Sequence, residues 1–223
     1  MSQSEKMNLV DGPGATLAVA RAVTEAIGVK GHYKASLMRV DEEHEEEAKT
    51  LTQLITETTV EAEVARLIGR LQALPRHEVW TDEINNVVTT VGKNLGLDTI
   101  LAGSGYTAAV VMGLKGAGTA VAADTMASHG AWLEVGLANA PAYTGNRPTP
   151  SFSSAAAGVK QTSAAVAFTF TSGGTVAGCF ITLAGSATKD NTTGTLLSAG
   201  DFTGGNKTVA NTDVLNVTYS LAL

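Results

Sequence analysis

The chain has 223 residues, enough for one large domain or two small ones around a buried core. Hydrophobic residues make up 44% of the sequence and charged residues only 16%, which is not the composition of a disordered chain. Fifteen basic and 21 acidic residues give a formal net charge of −6. The sequence therefore lacks the basic excess with which nucleic-acid-binding proteins neutralise phosphates, and we expect no nucleic-acid partner.

The single cysteine, Cys179, excludes an intramolecular disulfide and a multi-thiolate metal site. It lies in the apolar run Val-Ala-Gly-Cys-Phe-Ile, so we expect a buried free thiol. The first 14 residues lack the basic and apolar stretches of a secretion signal, and no window approaches the roughly 18 to 20 apolar residues of a membrane helix. These features predict a protein that folds in a reducing cytoplasm and has no membrane partner.

Charge divides the chain into two unlike parts. Residues 1–98 hold 26 charged side chains, whereas residues 99–223 hold 10 and consist mostly of Ala, Gly, Ser, Thr and Val. The first 32 residues are interpreted as an N-terminal arm. The arm carries a short amphipathic helix over 15–27, whose apolar face consists of Leu17, Ala20, Val23 and Ile27.

Residues 33–84 are predicted to form a β-hairpin interrupted by a helical insertion over 41–76. Tyr33–Val40 and His77–Ile84 alternate like strands. Between them, apolar residues recur at helical spacing, which indicates two helices in a hairpin or one long helix broken near 57–59. Because a helical hairpin alone buries little apolar surface, we expect these stripes to form a protein–protein interface. The predicted interface residues are Leu51, Leu54, Ile55, Val60, Val64, Leu67, Ile68 and Leu71.

Residues 85–223 are predicted to form a helix over 85–101 followed by a β-sandwich. The stretch 171–175, Thr-Ser-Gly-Gly-Thr, is expected to be a hairpin turn. The fold class is therefore α+β, an antiparallel β-sandwich, jelly-roll or immunoglobulin-like, with an N-terminal helical hairpin insertion. The candidate strands are Ala108–Leu114, Ala131–Leu137, Val166–Thr171, Thr175–Leu183, Thr195–Ser198 and Val214–Leu223.

No pattern of catalytic residues stands out in the sequence. The four histidines lack zinc-site spacing, and the Gly-x-Ser-x-Gly pattern of a nucleophilic serine is missing. A triad of His129, Asp124 and a serine would be a chance combination in a chain so rich in serine. The glycine-rich stretch Gly113–Gly118 carries its lysine at the wrong position for a phosphate loop. We therefore predict no enzyme activity and no cofactor.

Loop carboxylates are the remaining candidates for a metal site. Asp190, Asn191, Asp201 and Asp213 could ligate calcium at loop ends. Ordinary Asx turns explain the same residues without a metal, so no metal site is predicted.

Three stretches resemble virion structural proteins of tailed bacteriophages, a family often described as tail-fibre-like. They are 85–108 (Asn-Asn-Val-Val-Thr-Thr-Val-Gly-Lys-Asn and onward), 122–134 and 190–219. In that family a strand with tryptophan and acidic residues, here 79–84, precedes the first stretch. The resemblance covers 77–223, and the helical block over 41–76 departs from it, because the family is expected to have a tight turn there.

The resemblance implies a non-enzymatic virion protein that assembles in the cytoplasm of a bacterial host. Our first hypothesis is a capsid decoration (cement) protein that stabilises the head shell through contacts with the major capsid protein and with further copies of itself, a trimer being one candidate state. The alternatives are a tail or neck subunit, fibre-like or adaptor, that contacts tail proteins, and a host-glycan binding module that would use Trp132 or Tyr143.

Overall fold

The computed structural model describes residues 30–102 and 110–222, so the predicted arm helix over 15–27 lies outside the described residues. These described residues contain three α-helices, which are α1 (Glu45–Glu57), α2 (Glu61–Ala73) and α3 (Thr90–Ala102), and a 3-10 turn over Glu42–His44 precedes α1. The strands are β1 (Lys30–Val40), β2 (Arg76–Val88), β3 (Val110–Lys115), β4 (Glu134–Val135), β5 (Val159–Gln161), β6 (Val166–Thr169), β7 (Gly174–Val176), β8 (Gly178–Leu183), β9 (Thr195–Phe202), β10 (Lys207–Val209) and β11 (Val214–Ala222).

The fold is α+β and is built mainly from one antiparallel sheet. Its strand order is β4-β3-β8-β9-β2-β1-β11-β5, with β6 also paired to β11. The strands β7 and β10 form a separate two-stranded sheet. The helices α1 and α2 lie in the chain between the antiparallel neighbours β1 and β2, which is the arrangement that the sequence pattern predicts.

The large sheet is strongly curled. In a flat sheet β9 and β11 would be about 14 Å apart, because β2 and β1 lie between them. Nevertheless the Ser198 hydroxyl of β9 lies 3.4 Å from the Tyr219 hydroxyl of β11 and 2.6 Å from the Tyr33 hydroxyl of β1. These contacts are possible only because the strands bend around a common interior. Burial raises the pKa of Tyr219 to about 12, so its hydroxyl stays protonated at physiological pH.

The segment 142–148 joins the two edges of the curled sheet. On one side the amide of Thr144 donates to Thr169 of β6 at 2.9 Å, and the amide of Thr171 donates to Ala142 at 2.9 Å. On the other side the amide of Met112 in β3 donates to Pro148 at 3.0 Å. Backbone groups at both edges thus find partners, as buried polar groups require.

A buried ion pair holds the joining segment in place. The Arg147 guanidinium makes a bidentate salt bridge with the Glu134 carboxylate of β4, in which Nε donates to Oε1 at 2.8 Å. Arg147 also donates to the carbonyls of Ser186 and Asn191. The side chains of Arg147 and Glu134 are 0% and 6% exposed. Removing one partner would leave the other charge buried and unpaired, which is strongly destabilising. The pair therefore keeps the segment 142–148 beside β4.

One apolar core runs through the interior of the sheet. It includes side chains from β1, β2, β3, β4, β6, β8, β9 and β11, and the ring of Tyr143 packs edge-on against Phe168 at 5.1 Å between ring centres. Cys179 lies in this core as a free thiol, which confirms the prediction, and burial raises its pKa. Six of the core's 19 buried side chains are aromatic, and the others are aliphatic or contain sulfur.

Several element boundaries differ from those expected. Strand β2 continues to Val88, so α3 begins at Thr90 rather than at residue 85, because residues 85–88 pair with β9. The turn over 171–175 joins two different sheets, since β6 pairs with β11 and β7 with β10. The hairpin predicted there is therefore wrong. Strand β4 has only two residues, and the short strands β5 and β10 were not expected.

None of the helices in the described ranges is both long enough and apolar enough to cross a membrane.

Asp82 links β2 to the two-stranded sheet, and this contact predicts a pH-dependent stability. Burial alone would raise its pKa, but hydrogen bonds from Lys207, Thr203 and two backbone amides outweigh that effect and lower the pKa to about 2. At pH values above about 3.9, the pKa of an aspartate in an unfolded chain, the ionised Asp82 side chain stabilises the folded state. This contribution is lost as the pH falls toward 2. We expect Asp82→Asn to lower the free energy of unfolding at pH 7 by about 1–3 kcal/mol, a gap that closes between pH 4 and pH 2.

Urea unfolding of both proteins across this pH range measures the gap. Glu83→Gln is the matched control, because the neighbouring Glu83 side chain is 64% exposed and should show almost no gap at any pH. A gap for Asp82→Asn that is the same at pH 7 and pH 2 would contradict the assignment.

Candidate functional site on the helical hairpin

The helical hairpin, residues 41–75, rises from the end of the β1–β2 pair. Val40 and Arg76 are the last paired residues of these strands, and the amide of Asp41 donates to the Pro75 carbonyl at 3.1 Å. The base of the hairpin is therefore closed by backbone contacts.

Two arginines anchor this base to the body of the protein, by which we mean the described residues outside 41–75. Arg76 donates to the carbonyls of Leu71 and Leu74, at 2.9 and 3.1 Å, and so satisfies groups that the end of α2 leaves unpaired. Burial lowers the pKa of this arginine. Arg39 makes two hydrogen bonds, of 2.9 and 2.8 Å, to the buried carboxylate of Asp213 beside β11. Neither arginine was predicted from the sequence, although Arg76 lies just after a predicted helix end, where a basic residue is a known capping signal.

The two helices pack on each other through a small core of their own. Buried side chains from β1, α1 and α2 meet there, with Ile55 and Leu74 partly buried at the margin. The sequence expectation placed Leu51, Leu67 and Leu71 in an interface with another protein. In the structure they are 2%, 3% and 0% exposed between the helices, so they stabilise the hairpin itself. The core consists of Val40, Ala48, Leu51, Leu67 and Leu71.

Other residues of the predicted interface remain accessible. Val60 and Leu54 are 62% and 42% exposed, and Ile55, Val64 and Ile68 are half-buried. We define the hairpin tip as Leu54, Ile55, Val60 and Val64, which lie within one turn of the connection between α1 and α2. A 13-residue helix is about 20 Å long, so the tip stands about that far from the base.

The hairpin carries a charge equal to the formal charge of the whole protein. Residues 41–74 contain nine carboxylates and three basic side chains, a difference of −6, so the rest of the chain is formally neutral. The three bases, Lys49, Arg66 and Arg70, all pair with glutamates of the hairpin. Glu57 and Glu61 border the tip without an ion pair in the described structure. The tip is thus an apolar patch inside an anionic surface.

The remaining exposed large apolar residues of the described ranges lie on the body. They are Val79, Val121, Leu133 and Leu137. Single exposed apolar residues are normal on protein surfaces. The hairpin tip differs because its apolar residues come from two helices and stand away from the body.

The candidate triad is not assembled. The Asp124 carboxylate accepts hydrogen bonds from the Trp132 indole and the Val121 amide, both at 2.9 Å. His129 stacks on Trp132 and its Nδ1 lies 3.0 Å from the Trp132 carbonyl. Asp124 and His129 therefore hold a tryptophan rather than each other.

The other candidate residues also have structural partners. Lys115, in the glycine-rich stretch, is buried against Asp201 and the Gly118 carbonyl. Asp213 binds Arg39, and Asp190 accepts a hydrogen bond from the Ala138 amide. Within the described residues no three His, Cys, Asp or Glu side chains come together as metal ligands would.

The aromatic residues proposed for glycan binding are in the interior. Trp132 is 1% exposed and Tyr143 is 3% exposed. Neither ring is available for stacking on a sugar, so these two residues cannot carry a glycan site on this surface.

No protein-family model, no curated protein and no solved structure matches this chain.

Because the hairpin has a core of its own and a base closed by backbone contacts, we predict that it can be removed without unfolding the body. Because Val40 and Arg76 are paired, an Asn-Gly pair can replace residues 41–75 as a two-residue turn. The Val40 side chain then loses its contacts with α1 and α2 and becomes exposed. We expect the thermal midpoint to fall by only about 2–4 °C, which corresponds to a loss of roughly 1 kcal/mol in the free energy of unfolding. Adding Val40→Thr to the shortened chain should recover part of this loss.

Circular dichroism and calorimetry measure both effects. A shortened chain that has no cooperative unfolding transition would contradict the separation of hairpin and body.

Proposed function

We propose that this protein is a non-enzymatic structural protein of a tailed-phage virion, and that it serves as a capsid decoration protein. The observation that carries the proposal is the hairpin tip. Apolar side chains stand about 20 Å from the base of the hairpin, with Val60 62% exposed, and exposed apolar patches of this kind favour a protein partner.

The body suits a role in which it must resist mechanical force. Its sheet edges are joined by 142–148, and the Glu134–Arg147 pair is buried beneath them. Such a body leaves few free strand edges for unwanted pairing. The finer architecture that we propose is a β-sandwich, jelly-roll or immunoglobulin-like, in which two halves of the curled sheet face each other across the shared core.

The charge of the hairpin restricts the chemistry of its partner. A surface with a formal charge of −6 repels nucleic acid, which fits a position outside the genome compartment. It attracts a protein surface that surrounds an apolar pocket with lysines and arginines. We propose that the shell protein supplies such a pocket and that the hairpin tip fills it.

Charged substitutions at the tip test this proposal. Leu54→Asp and Val60→Asp alter exposed side chains, so both variants should stay folded, and Val60→Asp also places a preferred N-cap residue at the start of α2. If these side chains fill a pocket of the partner, each substitution should weaken binding to virions that lack the protein at least about tenfold. Co-sedimentation of the purified protein with such particles measures the affinity.

Ala65→Asp is the matched control, because Ala65 is exposed on α2 outside the tip and receives the same charge. It should bind like the unmodified protein. Equal binding by the tip variants and the unmodified protein would refute the role of the tip.

A further inference from the structure

Lys115 and Asp201 lie in one row of residues across the large sheet. Lys115 of β3 pairs with Gly178 of β8, and Gly178 pairs in turn with Asp201 of β9. Residues directly opposite each other in neighbouring antiparallel strands point to the same face of the sheet. The Lys115 side chain therefore crosses over β8 to reach the Asp201 carboxylate, with which it forms an ion pair.

Gly178 leaves the space in which the two side chains meet. Strands β3 and β9 are about 10 Å apart, because β8 lies between them. A Cβ atom on Gly178 would collide with the Gly200 carbonyl oxygen, so no residue with a side chain fits at this position. The lysine and the aspartate thus bridge the two strands over a residue that has no side chain of its own.

The Lys115 amine is buried and held in one position. The Lys115 side chain is 0% exposed, and its Nζ donates to the Gly118 carbonyl at 2.6 Å. The same Nζ lies 5.8 Å from the centre of the Trp132 ring, which is itself buried. These contacts keep the amine beside the Asp201 carboxylate and exclude water from it.

A second carboxylate stands next to Lys115 but is already occupied. Glu134 of β4 is the other neighbour of Lys115 in the row. Its carboxylate accepts two hydrogen bonds from Arg147, whereas Lys115 is paired with Asp201. The amine and the Asp201 carboxyl group therefore face each other as one reactive pair.

The Asp201 carboxylate borders a polar cavity. Its side chain is 37% exposed, and the cavity has a volume of about 290 Å³ and a lining that includes Thr119 and Thr203. Because a water molecule occupies about 30 Å³, the cavity has room for several. A small molecule released from the Asp201 carboxyl group can leave by this route.

We propose that Lys115 and Asp201 join in an intramolecular isopeptide bond. A proton first passes from the ammonium to the carboxylate, which removes both charges from a largely desolvated pair. The Nζ lone pair then attacks Cγ of Asp201, so that an N–C bond forms and the bond from Cγ to the hydroxyl oxygen breaks. The hydroxyl takes a second proton from the nitrogen and leaves as water. One ammonium and one carboxylate thus become one amide and one water molecule, and no other reactant is needed.

The fixed geometry favours this step. Two groups held in contact react as if their concentration were about 10⁵ M or more, and the same proximity favours the bond over its hydrolysis. The nitrogen gains positive charge as the N–C bond forms, and the Gly118 carbonyl and the face of Trp132 stabilise that charge. The bond would tie β3 to β9 across β8, and it does not depend on the function proposed above.

Intact-mass spectrometry of the purified full-length chain tests the proposal. The unmodified protein should be lighter than its sequence requires by about 18 Da, the mass of one water. Lys115→Arg keeps the positive charge but removes the amine, so it should have its full sequence mass. Lys207→Arg is the matched control, because Lys207 also pairs with an aspartate, Asp82, beside Trp80. This control should keep the loss of about 18 Da.

Two further measurements locate the bond. Fragmentation of a protease digest should identify two peptides joined through Lys115 and Asp201. The bond closes a loop between residues 86 positions apart, so the unmodified chain should migrate faster than Lys115→Arg on a denaturing gel.

A full sequence mass in the unmodified protein, after prolonged incubation in the folded state, would overturn the proposal and leave an ordinary buried ion pair. A loss of water that persists in Lys115→Arg would also overturn it, because the loss would then come from a cyclic imide at another aspartate.

Discussion

The joining of the two sheet edges by the segment 142–148 is the constraint on which the rest of the structure depends. It lets nine strands curl around one core instead of forming an open, twisted layer. The buried Glu134–Arg147 pair holds the segment and the loop over 186–191 together. Desolvating two charges is costly, but their mutual contact and the added carbonyl acceptors offset that cost.

A curled sheet with joined edges has two ends, and the chain uses them differently. At one end β1 and β2 continue into the helical hairpin, and Arg39 and Arg76 fix its base. At the other end α3 leaves an apolar cavity next to the point where β1 begins. The joined edges thus lie along the sides of the sheet, whereas the hairpin and the cavity lie at its two ends.

The sequence predicted the helices and the longer strands because their side chains face two different environments. The stripe from Val60 to Leu71 repeats at helical spacing, and Tyr33–Val40 alternates. What periodicity cannot tell is which protein covers an apolar face. Leu67 and Leu71 were expected to contact another protein, but the sister helix covers them, whereas Leu54 and Val60 remain exposed.

Other features depend on contacts between residues far apart in the chain. Strand β2 extends to Val88 because β9 offers a pairing partner about 110 residues later. The short strands β5 and β10 have three residues each, too few for a detectable alternation. Nothing in the sequence sets Arg147 and Glu134 apart from other charged residues, and only their burial reveals that they hold the joining segment.

We propose that the chain is a repeated component of a virus particle. Quantitative mass spectrometry of purified virions, with the copy number expressed relative to the major capsid protein, tests this claim directly. A decoration protein should be present on the order of hundreds of copies per particle, because it follows the symmetry of the shell. Absence from the particles would contradict a virion role altogether, and only tens of copies or fewer would contradict the decoration role and point to the tail or neck.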